Sequence, residues 1–110
     1  MKIDVIIPTF RPGRKLLELL DRLQQQSVRA DRILVINTEE KYFEELIYGT
    51  DFVRKFPDVE VHHISELEFD HGGTRNMAVT RCSGDGFLCM TQDALPADNR
   101  LIENLLRALE

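Results

Sequence analysis

Gln92 and Asp93 close an apolar run, Gly86-Phe87-Leu88-Cys89-Met90-Thr91, and stand just before Ala94-Leu95-Pro96. A carboxylate at the carboxyl end of a buried strand can hold a hard cation and, through it, a phosphate. The same Asp93 can equally cap a turn, and this segment leaves both roles open. Two other polar triplets end apolar runs in the same way: Thr9-Phe10-Arg11 after Val5-Ile6-Ile7-Pro8, and Asn37-Thr38-Glu39 after Ile33-Leu34-Val35-Ile36. The first offers backbone groups and an aromatic wall to a flat base. Arg11, Arg14 and Lys15 form the one tight basic cluster. It suits either a single anionic ligand or a solvated helix start.

Elements that would bring these triplets together alternate along the chain. Lys2 to Pro8 has the β-branched composition of a strand buried on both faces, with Pro8 expected to end its ladder. After Pro12-Gly13, Leu16, Leu17, Leu19, Leu20 and Leu23 recur at helical spacing. Arg32 to Asn37 is the second strand. Lys41 to Tyr48 predicts a short helix stopped by Gly49, and Phe52 to Phe56 either extends it or forms a separate turn. Val59 to Ile64 is the third strand, with Val59, Val61 and His63 on one face and the pair His62 and His63 split between inside and outside. Asp70 is expected to cap a helix running to about Cys82 and closed by Ser83-Gly84. Gly86 to Thr91 is the fourth strand. Pro96-Ala97-Asp98 is expected to open a last helix with an apolar stripe of Leu101, Ile102, Leu105, Leu106 and Leu109. Such alternation implies right-handed crossovers and an α/β fold with a mostly parallel sheet. The expected strand order is 3-2-1-4, with a crevice between strands 1 and 4. All three polar triplets then share one rim.

Composition removes several alternatives. A chain of 110 residues, 43% hydrophobic and 30% charged, is one ordinary globular domain. Its net charge of −5 and lack of a basic stripe argue against nucleic acid as a partner. No apolar run approaches the roughly 20 residues of a membrane span, and the first residues are no signal peptide. The expected place is therefore the cytoplasm, with a peripheral position at the inner face of a membrane still compatible. Cys82 and Cys89 lack metal-ligand spacing and read as reduced core thiols. Neither G-x-G-x-x-G nor G-K-[ST] occurs after the first strand, which counts against dinucleotide binding and a P-loop ATPase. A receiver-type signalling domain would want acids where Thr9-Phe10 and Ser65-Glu66 stand. Gly72-Gly73 fits either a close backbone approach to a phosphate or a tight turn.

The segments Val5-Ile6-Ile7-Pro8-Thr9-Phe10-Arg11-Pro12, Ile33-Leu34-Val35-Ile36-Asn37-Thr38, Phe69-Asp70-His71-Gly72-Gly73-Thr74-Arg75-Asn76 and Leu88-Cys89-Met90-Thr91-Gln92-Asp93-Ala94-Leu95-Pro96 together resemble the amino-terminal half of a family 2 glycosyltransferase of GT-A fold. The wording of the last two is similar to the rhamnosyltransferase-like branch. The resemblance covers nearly the whole chain.

It implies a Rossmann-like nucleotide-sugar-binding domain over residues 1–110, expected to stop before an acceptor-binding half. By the same resemblance, Pro8, Thr9 and Phe10 would border the base or ribose, and Glu39 or Asn37 would recognise the base. The family's usual acidic pair is here Asn37-Thr38-Glu39-Glu40. Arg75 and Asn76 would lie near the diphosphate, Gln92 would touch the ribose, and Asp93 would be the metal ligand. The implied cofactor is Mg2+ or Mn2+, since oxygen ligands suit these ions. The implied partners are a UDP- or dTDP-sugar donor and a saccharide or lipid-linked acceptor, in bacterial polysaccharide synthesis. The implied reaction is an inverting, metal-dependent sugar transfer whose general base belongs to a later segment. The alternative is a non-catalytic nucleotide-binding fragment or regulatory module.

Overall fold

A computed structural model describes residues 2–81 and 84–109. Four strands, β1 (Ile3–Phe10), β2 (Arg32–Thr38), β3 (Val59–Ile64) and β4 (Gly86–Cys89), form one parallel sheet in the order β3-β2-β1-β4. The central strands are buried on both faces, which is why Ile3, Val5, Ile6 and Ile7, and Ile33 to Ile36, read as continuous apolar runs.

One face carries the main core. Helix α1 (Arg14–Gln24) lays Leu16, Leu19, Leu20 and Leu23 over Val5, Ile7, Ile33 and Val35. Each such leucine contributes about 1.5–3 kcal/mol by burial. Phe43 of α2 (Glu40–Ile47), Phe52 of α3 (Phe52–Lys55) and Phe56 extend this core, with edge-on ring contacts at 5.4 Å between Phe43 and Phe52. Phe52 to Phe56 thus yields a separate short helix. Ile102 of α6 (Leu101–Leu109) closes the same core. The opposite face is smaller: Ile6, Ile36 and Ile64 lie under Met77 and Ala78 of α5 (Gly73–Arg81).

Several expectations are corrected. β1 does not stop at Pro8: Pro8, Thr9 and Phe10 pair in register with Ile36, Asn37 and Thr38. The strand survives because the even residues of β1 turn their backbone groups toward β4, so the N–H that proline lacks is not needed by β2. Asp70 caps no helix start. It ends α4 (Glu66–Asp70), whose cap is Ser65: Ser65 Oγ accepts from Glu68 N at 3.1 Å and Glu68 Oε1 accepts from Ser65 N at 3.2 Å. Gly72 has φ 79°, and a Cβ on Gly73 would sit 2.5 Å from the Glu68 carbonyl oxygen. The glycine pair therefore makes the tight turn from α4 into α5. The last helix starts at Leu101 rather than at Pro96-Ala97-Asp98. Its entrance is held by buried Gln26, which accepts from Ile102 N at 3.2 Å and donates to the Asp98 carbonyl at 3.0 Å.

His62 and His63 are both half-buried, on opposite faces, rather than one inside and one outside. His63 stacks edge-on with Phe43 at 5.5 Å. Cys89 is exposed, like Phe87 on the same face of β4, and is not a core thiol. Cys82 and Ser83 lie outside the described residues.

Candidate functional site

The carboxyl ends of β1 and β4 open into a cavity of about 600 Å3, a size ordinary for small-molecule sites. It lies in the expected crevice. Pro8, Thr9 and Phe10 line it from β1, Thr38 from β2, and Cys89 to Gln92 from β4 and the turn beyond. The short helix α4 supplies the remaining wall through Glu66, Phe69 and Asp70. Phe10 and Phe69 keep 42% and 52% of their surface exposed, so two aromatic rings stand uncovered at the mouth.

The polar residues of the rim do different things. Asn37 is fully buried and acts as a hub: its Oδ1 accepts from Thr9 Oγ1 at 2.8 Å, and its Nδ2 donates to the Glu39 carbonyl at 3.1 Å and lies 3.1 Å from His63 Nδ1. Glu39 has φ 68° and turns its carboxylate onto Glu66 N at 2.8 Å, tying the end of β2 to the start of α4. Both side chains therefore build the rim from behind, and neither lines the cavity. Thr9 lines it while its hydroxyl is directed into Asn37.

Gln92 lines the cavity and holds the Phe10 peptide at both ends: its Oε1 accepts from Phe10 N at 2.8 Å and its Nε2 donates to Phe10 O at 3.1 Å. Asp93, next in the chain, is exposed in a turn closed by Ala94 N on Thr91 O at 3.1 Å. Arg75 and Asn76 sit exposed on α5; neither lines this cavity, and Asn76 instead borders a separate surface hollow with His71 and Thr80. Arg11 has a left-handed φ of 49° and packs its guanidinium 5.2 Å from the Phe10 ring centroid and 4.8 Å from that of Tyr42. Its Nη2 donates to Tyr42 Oη at 3.1 Å. Arg14 and Lys15 are exposed on the first turn of α1.

Among the described residues no group of three or more His, Cys, Asp or Glu could by itself hold a metal ion. The α4 wall was not anticipated as part of the site. Its signal was Ser65-Glu66-Leu67-Glu68, a capping-box spacing that predicts a helix start five residues ahead of Asp70.

The sequence profile described as Glycosyl transferase family 2 matches residues 4–110. The O-antigen chain rhamnosyltransferase RfbN of Salmonella typhimurium is 36% identical over 107 residues, covering 96% of this chain and 32% of its own length. The crystal structure of S. aureus TarS 1-349 superposes with a TM-score of 0.71 at 19% identity, over 97% of this chain and 32% of that one. TarS 1-349 in complex with UDP superposes with a TM-score of 0.67 at 21% identity, over 96% and 31%. These structural likenesses show a shared fold. The chain spans about a third of the length of the relatives it matches.

Proposed function

This chain belongs to glycosyl transferase family 2, and from that premise we propose that it is the donor-binding part of an enzyme that moves a sugar from a nucleotide diphosphate to an acceptor hydroxyl. The observation that carries the proposal is the cavity at the carboxyl ends of β1 and β4, the place where open parallel sheets receive ligands. Its walls suit the donor's parts. Phe10 and Phe69 offer apolar faces for a base, Thr91 lines the cavity beside them, and Asp93 follows outside the lining on an exposed turn. UDP, the ligand of the TarS complex, is a donor fragment of the proposed kind, and rhamnose transfer is the activity in the name of RfbN. A UDP- or dTDP-sugar is accordingly the proposed donor, and a growing bacterial surface saccharide, lipid-linked or free, the proposed acceptor.

Asp93 is the carboxylate that would help hold Mg2+ or Mn2+. Such an ion, when bound, supplies charge neutralisation for the departing diphosphate. The chain's own contribution is to bind and orient the donor: Pro8, Thr9 and Phe10 border the base and ribose, and Asn37 and Glu39 hold that border in place. Arg75 is proposed as a diphosphate contact, one that its place on the exposed side of α5 makes available to a ligand extending beyond the cavity. Inversion at the sugar carbon is the stereochemical course proposed, with a general base to take the acceptor's proton.

Calorimetric titration with UDP, dTDP and their sugar conjugates, with and without Mn2+, tests this for the wild-type chain and Asp93→Ala. The expected outcome is binding that Mn2+ strengthens, with that gain lost in Asp93→Ala. A folded chain that binds none of these nucleotides overturns the reading.

A further inference from the structure

Strand β4 leaves β1 before β1 ends, and the gap is filled by a side chain. The β1–β4 register runs from Ile3 opposite Gly86 to Ile6 opposite Cys89, with a last backbone bond from Met90 N to Ile6 O at 2.9 Å. On this side of β1 the next residue is Pro8, which has no N–H to offer, and the chain after Met90 turns away. Two residues further, Phe10 again points both its N–H and its carbonyl toward β4. A continued parallel ladder in this register would send Phe10 N to the main-chain carbonyl of residue 92. It goes instead to the side-chain carbonyl of the same residue, and the amide nitrogen of Gln92 returns a second bond to Phe10 O.

From this we infer that Gln92 is a positioning residue: its carboxamide substitutes for the missing strand and fixes the Phe10-Arg11 backbone against which the donor binds. The inference rests on the donor-site reading. The chemistry is specific to a primary amide, which carries a donor and an acceptor side by side as a peptide does. A carboxylate at this position has no donor for Phe10 O, and the repulsion between the two holds it off the Phe10 peptide. The next residue explains why the hold is needed. Arg11 sits at φ 49° directly before Pro12, a conformation that persists only where the surroundings impose it. The clamp fixes one side of Arg11, and the contacts with Phe10 and Tyr42 fix the other. A ribose contact by Gln92 is then not its main task, because both polar ends of its side chain are already engaged.

Amide hydrogen exchange by NMR, run on the ligand-free chain and paired with UDP and dTDP titrations, tests this in Gln92→Met and Gln92→Glu. Met keeps the length and removes both bonds. In both variants the Phe10 amide loses its protection at neutral pH while the amides of Val5 and Val35 keep theirs, and nucleotide affinity falls about tenfold, the value of two neutral hydrogen bonds. In Gln92→Glu protection returns as pH falls through about 4, since the neutral acid again carries donor and acceptor. Unchanged Phe10 protection in both variants overturns the clamp, as it would if Gln92 acted on the ligand directly. Lost protection with unchanged affinity overturns the positioning role. If the wild type protects Phe10 but binds neither nucleotide, the donor reading is what fails, and the positioning role falls with it.

Discussion

Asn37 gathers the ends of three strands through one side chain. It holds the Thr9 hydroxyl of β1, the Glu39 carbonyl after β2 and the His63 ring of β3, and has no exposed surface. Removing it leaves buried polar groups without partners, a heavier penalty than the loss of the bonds themselves. Asn37→Ala is expected to destabilise the chain by about 2–4 kcal/mol in urea unfolding, with an unchanged m-value. Asp93 is the opposite case. It is exposed, and no hydrogen bond of the fold holds its carboxylate among the described residues. Asp93→Ala is therefore expected to leave the unfolding midpoint within about 0.5 kcal/mol of wild type while abolishing the Mn2+ contribution to nucleotide binding.

Among the elements, α4 is the weakest that the site depends on. It has five residues, buries none of them, and is held by the Ser65–Glu68 capping box, the Glu39 carboxylate on Glu66 N and the Gly72-Gly73 turn. A helix this short cannot stand on its own propensity. Ser65→Ala is expected to cost about 1 kcal/mol locally. That loss appears as faster amide exchange from Glu68 to His71, and as weaker nucleotide binding because Phe69 loses its fixed place at the mouth. Global unfolding shifts little, since α4 adds no buried apolar side chain to the core. Protection at Glu68 that does not change in the variant would mean that Glu39 alone suffices to hold the helix.

For the whole molecule, the asymmetry between the two faces of the sheet matters most. Helices α1, α2, α3 and α6 cover one face. On the other, α5 packs over β1, β2 and β3, and among the described residues Phe87 is 64% exposed and Cys89 exposed on β4, the outer strand beside β1. Uncovered apolar side chains on a strand make a surface prone to association with another chain. Phe87→Glu is expected to suppress concentration-dependent self-association in light scattering and to change stability by no more than about 0.5 kcal/mol. Equal association of wild type and variant would locate the sticky surface elsewhere, for instance at Tyr48 or Val53, which are also exposed.

How much of this was legible in the chain follows from which forces act locally. The parallel sheet, its order and the crevice between β1 and β4 were readable, because burial on both faces imposes continuous apolar runs and right-handed crossovers leave few ways to connect them. Membership of the glycosyltransferase family was readable in the motif wording around His71 to Asn76 and Thr91 to Pro96. The start of the last helix beyond Pro96 was not, because it is set by Gln26 reaching 76 residues ahead to Ile102, whereas the helix start ahead of Asp70 is carried by the local capping-box spacing of Ser65 and Glu68. Nor does any local pattern say that Asn37 and Glu39 support the rim from behind, that α4 walls the cavity, or that Cys89 faces outward. Those are matters of which side chains meet across the sheet. Gln92 shows the division most clearly: its sequence position announced a polar residue at the end of a strand, and only the departure of β4 from β1 made that residue a substitute for backbone.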